Sequence, residues 1–176
     1  MRNVRLLLAF ALLTLIAVSP APAAQQAGTL TAHLRGFEEV PATAVANTGT
    51  FTGTVNGAGT EITFNLKYDV PEGTVTQAHL HFAQKGVNGG IVIFLCSNLP
   101  NAPAGTQACP EHSGTVSGTV DADNVLAQPS QSAVAGDLPS VLRAIRAGIV
   151  YANVHTDQLP GGSIRGQVSF KPGRND

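Results

Sequence analysis

Alternation of apolar and polar positions is the dominant pattern along the chain. Residues 60–70 (TEITFNLKYDV) put Ile62, Phe64, Leu66, Tyr68 and Val70 on one face and Glu61, Thr63, Asn65, Lys67 and Asp69 on the other. That period of two predicts a strand with one side in the core and one in water. Leu30, Ala32 and Leu34 alternate with Thr31, His33 and Arg35 in the same way. Residues 91–95 (IVIFL) are a continuous apolar run, as in a strand buried on both faces. A short pattern recurs at 49–55, 114–120 and 162–168 (GTFTGTV, GTVSGTV, GSIRGQV), each copy with glycine in fifth place. Glycine inside a strand predicts a bulge or a close approach of two backbones.

Helical spacing occurs once, at Leu138, Val141, Leu142 and Ile145. Asp137 can cap that helix, Pro139 suits its first turn and Gly148 can end it. The remainder reads as short strands between Gly, Pro, Asn and Asp, so the pattern predicts an antiparallel all-β sandwich with one short helix. Composition agrees: 19 Gly and 11 Pro punctuate the chain too often for long helices. A hydrophobic content of 43% excludes a disordered chain. A net charge of −1, with no run of Lys or Arg, excludes the basic footprint of nucleic-acid binding.

The first residues stand apart. Arg2 and Arg5 precede an apolar run at 6–18, and Ala21-Pro22-Ala23 supplies small residues for cleavage. The run is too short to span a bilayer as a helix, so residues 1–23 are expected to be a cleaved signal peptide. Its removal leaves 8 basic against 11 acidic residues, a net charge of −3, and no further run long enough to cross a membrane. The expected location is secreted or periplasmic. Cys96 and Cys109 lie thirteen positions apart around a loop with Pro100 and Pro103. In an oxidising compartment that spacing reads as a disulfide, and it matches no zinc motif.

Candidate chemistry is confined to histidines. His79 and His81 form an H-x-H pair, and on a strand both face one side while Ala78, Leu80 and Phe82 face the other. In 151–155 (YANVH), Asn153 and His155 share a face opposite Ala152 and Val154. If the two segments are neighbours, His79, His81 and His155 complete a three-nitrogen set suited to copper or zinc, with nitrogens about 3–4 Å apart. The alternative is three histidines that only hydrogen-bond to nearby backbone. His33 and His112 read as surface residues. Arg165 reads as one half of an internal salt bridge, and Glu38-Glu39 as a solvated turn. No nucleophile elbow, P-loop or dinucleotide fingerprint is present, and neither Glu111 nor Asp157 has a carboxylate partner in sequence.

Three ordered motifs carry a family resemblance: LRGFEEVP (34–41), AHLH (78–81) with GVNGGIV (86–92), and YANVHT (151–156) with PGGSIRGQ (160–167). Together they resemble the CHRD domain family, known from chordin, over residues 28–170. Ser163 stands where that family usually has Glu, which removes a carboxylate partner for Arg165 or a histidine. Gly90 stands where it usually has Pro. The resemblance implies an immunoglobulin-like antiparallel β-sandwich, and all three histidines of the set fall inside its motifs. The expected function is a binding or structural module for a protein or surface partner, holding copper or zinc at His79, His81 and His155. Two other classes remain open. A metalloenzyme resembling copper-zinc superoxide dismutase needs further histidines and an aspartate that the sequence does not cluster. A cell-surface or matrix adhesion component without metal needs an exposed apolar patch.

Overall fold

The computed structural model describes residues 27–173; the expected signal peptide lies outside them. Among the described residues the chain forms β1 (Gly28–Arg35), β2 (Thr48–Val55), β3 (Ile62–Asp69), β4 (Val75–Phe82), β5 (Gly90–Ser97), β6 (Ser113–Val120), α1 (Leu138–Arg146), β7 (Val150–Thr156), β8 (Ile164–Gln167) and β9 (Ser169–Pro172). No helix there is long and apolar enough to cross a membrane. Where the alternation is clearest the strands follow it: β1 and β3 bury every second residue, with Leu30 and Leu34 in one and Ile62, Phe64, Leu66 and Tyr68 in the other. Helix α1 starts where Asp137 accepts a hydrogen bond from the Ser140 amide at 2.9 Å. It buries Leu138, Val141, Leu142 and Ile145 and gives way to Gly148 at φ +70°.

All pairings are antiparallel, and the strands run in the order β5-β4-β7-β8-β1-β2-β3-β6, with β9 paired to β1. The all-β expectation holds. The immunoglobulin-like division into two separate sheets is not seen: one continuous ladder curls until it is nearly a closed barrel. The gap between the end strands β5 and β6 is bridged by the segment joining them. Ser97 donates its amide to Gln107 O at 2.9 Å, and Gln107 Nε2 donates to Leu95 O on β5 and Ser117 O on β6. The Cys96–Cys109 disulfide, with Cα atoms 5.1 Å apart, staples the same joint.

The repeated glycines have two explanations. A side chain at Gly166 would meet the His33 carbonyl oxygen at 2.2 Å, so β8 and β1 approach too closely for any residue but glycine. Gly53 and Gly118 instead lie on either side of Phe64 in unbroken ladders, and a side chain at Gly118 would press on the Phe64 ring at 3.1 Å. Gly118 thus makes room for an aromatic ring, whereas a side chain at Gly53 would press on Thr63 O at 3.2 Å and on Ile62 and Leu30, and no bulge forms at either. Phe64 is therefore the large core residue of that corner. Phe64→Ala is expected to cost about 3–5 kcal/mol by denaturant titration, while Lys67→Ala on the opposite face changes stability by less than about 0.5 kcal/mol. Equal effects would show that the faces were assigned wrongly.

Candidate metal centre

The pairing of β4 with β7 builds the centre. Gln77 lies opposite His155, His79 opposite Asn153 and His81 opposite Tyr151. Side chains alternate across a sheet, so these six share one face while Ala78, Leu80, Ala152 and Val154, all fully buried, share the core face. On its other edge β4 meets an irregular strand. Between Ala78 and His79, and again between Leu80 and His81, β5 carries one extra residue. Bulges of this kind increase local twist and re-aim side chains. The result brings three imidazoles together, with ring centroids 4.9 Å apart for His79–His155, 5.3 Å for His79–His81 and 6.0 Å for His81–His155. One nitrogen from each lies within 4.8 Å of the others. Nitrogens bound to one zinc ion at 2.0–2.1 Å sit about 3.4 Å apart, a spacing that falls within this limit.

The histidine face is not the solvent face that alternation alone suggests. His79, His81 and His155 are 0%, 7% and 6% exposed, because three connections fold over them. Gly89 O, in the turn after β4, accepts from His81 Nδ1 at 3.0 Å. Pro160 O, in the turn after β7, accepts from His155 Nδ1 at 2.9 Å. The segment after β1 joins these turns: Val40 O accepts from Asn88 Nδ2 at 2.9 Å, and Thr43 Oγ1 donates to Ser163 O at 2.9 Å. A side chain at Gly89 would meet the Phe82 carbonyl oxygen at 2.0 Å, which is the physical content of the G-x-N-G motif.

Each carbonyl decides a tautomer. A carbonyl only accepts, so Nδ1 of His81 and of His155 carries the proton and Nε2 holds a bare lone pair in the neutral ring. Those two Nε2 atoms, with both nitrogens of His79, are buried and have no hydrogen-bond partner. Burial also keeps the rings uncharged. Desolvation, reinforced by His155 and then His81, lowers His79 to about 2. Desolvation lowers His81 to about 4 against the opposing Gly89 carbonyl, and it lowers His155 against the Pro160 carbonyl. Neutral, oriented, unsatisfied imidazoles are the donor set of a transition-metal site, and this group could hold an ion.

Two sequence expectations need correction. Glu39 is not in a solvated turn: it is 7% exposed, accepts from Asn153 Nδ2 at 2.6 Å, and burial pushes its carboxyl up to about 7 against the pull of Arg165 and Asn153. Glu38 alone behaves as expected, pairing with Lys85 at 2.8 Å. Arg165 makes no ion pair among the described residues; its guanidinium lies 3.7 Å over the Tyr151 ring and donates to Asn88 Oδ1 and Val87 O. Ser163, where the family usually has Glu, is fully buried, and its Oγ accepts from Asn47 Nδ2 at 2.8 Å. His33 and His112 are exposed and outside the cluster. Tyr151 and Asn153 were not singled out from sequence, although the alternation that places His155 places them on the same face.

A β-rich antiparallel module with three imidazoles gathered beneath its loops is the class defined by this geometry. The model of the CHRD domain family matches residues 30–168, and the chain belongs to that family. No curated protein and no solved structure matches the chain.

The buried neutral rings carry a pH prediction of definite sign. Unfolded His79 and His81 take up protons near the ordinary 6.5, whereas the folded rings resist to about 2 and 4. Stability present in full above 6.5 is therefore lost as pH falls. Glu39, raised from 4.5 to about 7, acts oppositely: its contribution is present below 4.5 and lost as pH rises through 7. Between 4.5 and 6.5 at least two imidazoles oppose one carboxyl, so these groups should cost the metal-free protein about 1 kcal/mol per pH unit on acidification. Urea midpoints across that range should fall less steeply in His79→Leu. Identical slopes would contradict the buried-neutral assignment.

Proposed function

We propose that this CHRD domain is a secreted or periplasmic binding module that holds one first-row transition ion, copper or zinc, through His79, His81 and His155. The observation that supports it most is the set of bare, buried Nε2 atoms on two tautomer-locked rings beside a third ring with no partner at all. An unpaired buried polar atom costs about 1–3 kcal/mol, and four in one cluster are costly unless something ligates them. A metal ion satisfies them at once. Carbonyls on Nδ1 are the outer partners that ligating histidines ordinarily have. Three histidines leave a coordination position for water or a fourth donor. The disulfide fits an oxidising compartment.

The adhesion reading has less support. Phe37, Val87, Leu99 and Val134, the exposed large apolar residues among those described, lie in four different connections, whereas the three imidazoles are gathered in one place. A dismutase-like pair of metals draws no support from His33 or His112, which lie outside the cluster.

Calorimetric titration of the metal-free protein with copper(II) and zinc is expected to give one ion per chain. His81→Ala and His155→Ala should each abolish tight binding, while His112→Ala should leave it unchanged. Unaltered binding in both cluster variants would refute the site.

A further inference from the structure

Arg165 is 2% exposed and pairs with no carboxylate among the described residues. Burying a guanidinium is costly, and Glu39 acts on it only through space with no ion pair formed, so its direct contacts need a reason. They form a closed circuit around one histidine. The Arg165 guanidinium carbon lies 3.7 Å from the Tyr151 ring centroid. Tyr151 in turn stacks on His81, centroids 4.7 Å apart and planes within 2°. On the other side, Nη1 donates to Asn88 Oδ1 and Nη2 to Val87 O, each at 2.9 Å. The next residue, Gly89, offers the carbonyl that holds His81 Nδ1, and its amide donates to Tyr151 Oη at 3.4 Å.

From this circuit we infer that Arg165 is the positioning residue of His81, acting through Tyr151 and the 87–89 turn; its metal-affinity consequence rests on the function proposed above. Stacking fixes the plane of the His81 ring, and the turn fixes its rotation and tautomer. Neither route works with lysine, which has no planar face to lay on Tyr151 and no fork to span Asn88 and Val87. His155 is oriented separately, by Pro160 O. Arg165 therefore governs one ligand of three, and this distinguishes positioning from general support of the fold.

Long-range proton–nitrogen correlation spectra of the metal-free full chain at pH 7 test this directly. In the wild type, His81 and His155 should each show the single Nδ1–H tautomer. In Arg165→Met, Arg165→Lys and Tyr151→Leu, His81 should become a mixture of tautomers while His155 stays unchanged. Tyr151→Phe, which restores the ring, should return His81 to one tautomer. Zinc affinity should fall about 10- to 100-fold in the Arg165→Met and Tyr151→Leu variants. Should Arg165→Met fail to fold, Asn88→Ala at an exposed position removes one strut of the turn and should still perturb His81 alone. A single His81 tautomer retained in Tyr151→Leu and in whichever of Arg165→Met or Asn88→Ala folds, or an equal change at His155, overturns the inference. If the wild type takes up no zinc, the metal reading fails while the tautomer comparison still decides the role of Arg165.

Discussion

The register between β4 and β7 is the constraint on which the rest depends. Because side chains alternate, a slip of one residue would send His79 and His81 into the core and Ala78 and Leu80 out beneath the loops. Four core-facing residues prevent it: Ala78, Leu80, Ala152 and Val154 are all fully buried. Ordinary hydrophobic burial on one face of the sheet thus sets the chemistry of the other. The bulges of β5 refine that arrangement by turning its ladder against β4 beside each histidine.

The second determinant is cover. A polar strand face left in water would give three ordinary histidines titrating near neutrality. The connections after β1, β4 and β7 exclude water from this face, and each contributes a polar anchor: Glu39 to Asn153, Gly89 O to His81 and Pro160 O to His155. Desolvation then makes protonation unfavourable, and the two carbonyls leave Nε2 as the free atom on two of the rings. The same cover buries Glu39 and Arg165, so the outer layer of the centre is polar, dry and held by hydrogen bonds more than by an ion pair. An ion held there would bind only the folded chain, because this layer exists only when the three connections are in place.

Much of this was legible in the sequence. Alternation located β1 and β3 together with their buried faces, spacing located α1 and its Asp137 cap, and the Cys96–Cys109 pairing followed from spacing and compartment. Convergence of His79, His81 and His155 followed from the two-residue period once two strands were taken as neighbours. What the sequence hid depends on non-local contacts. A barrel-like sheet and a sandwich have the same local alternation, so only the unbroken order of pairing separates them. Burial of Glu39 arises from Asn153, 114 positions away, and nothing near Glu39 announces it. The stack of Arg165 on Tyr151 on His81 joins the consecutive strands β7 and β8 to β4, far earlier in the chain. The glycines at 53 and 118 were readable as special, but their purpose is set by neighbouring strands: Phe64 for Gly118, and Thr63 O, Ile62 and Leu30 for Gly53.

The central claim is that three neutral imidazoles close on one ion, and X-ray absorption at the zinc edge of the zinc-loaded protein tests it most directly. The account predicts a first shell that includes three imidazole nitrogens at about 2.0–2.1 Å, with the outer scattering of intact rings and no sulfur. A shell of oxygen donors with one imidazole or none would contradict it.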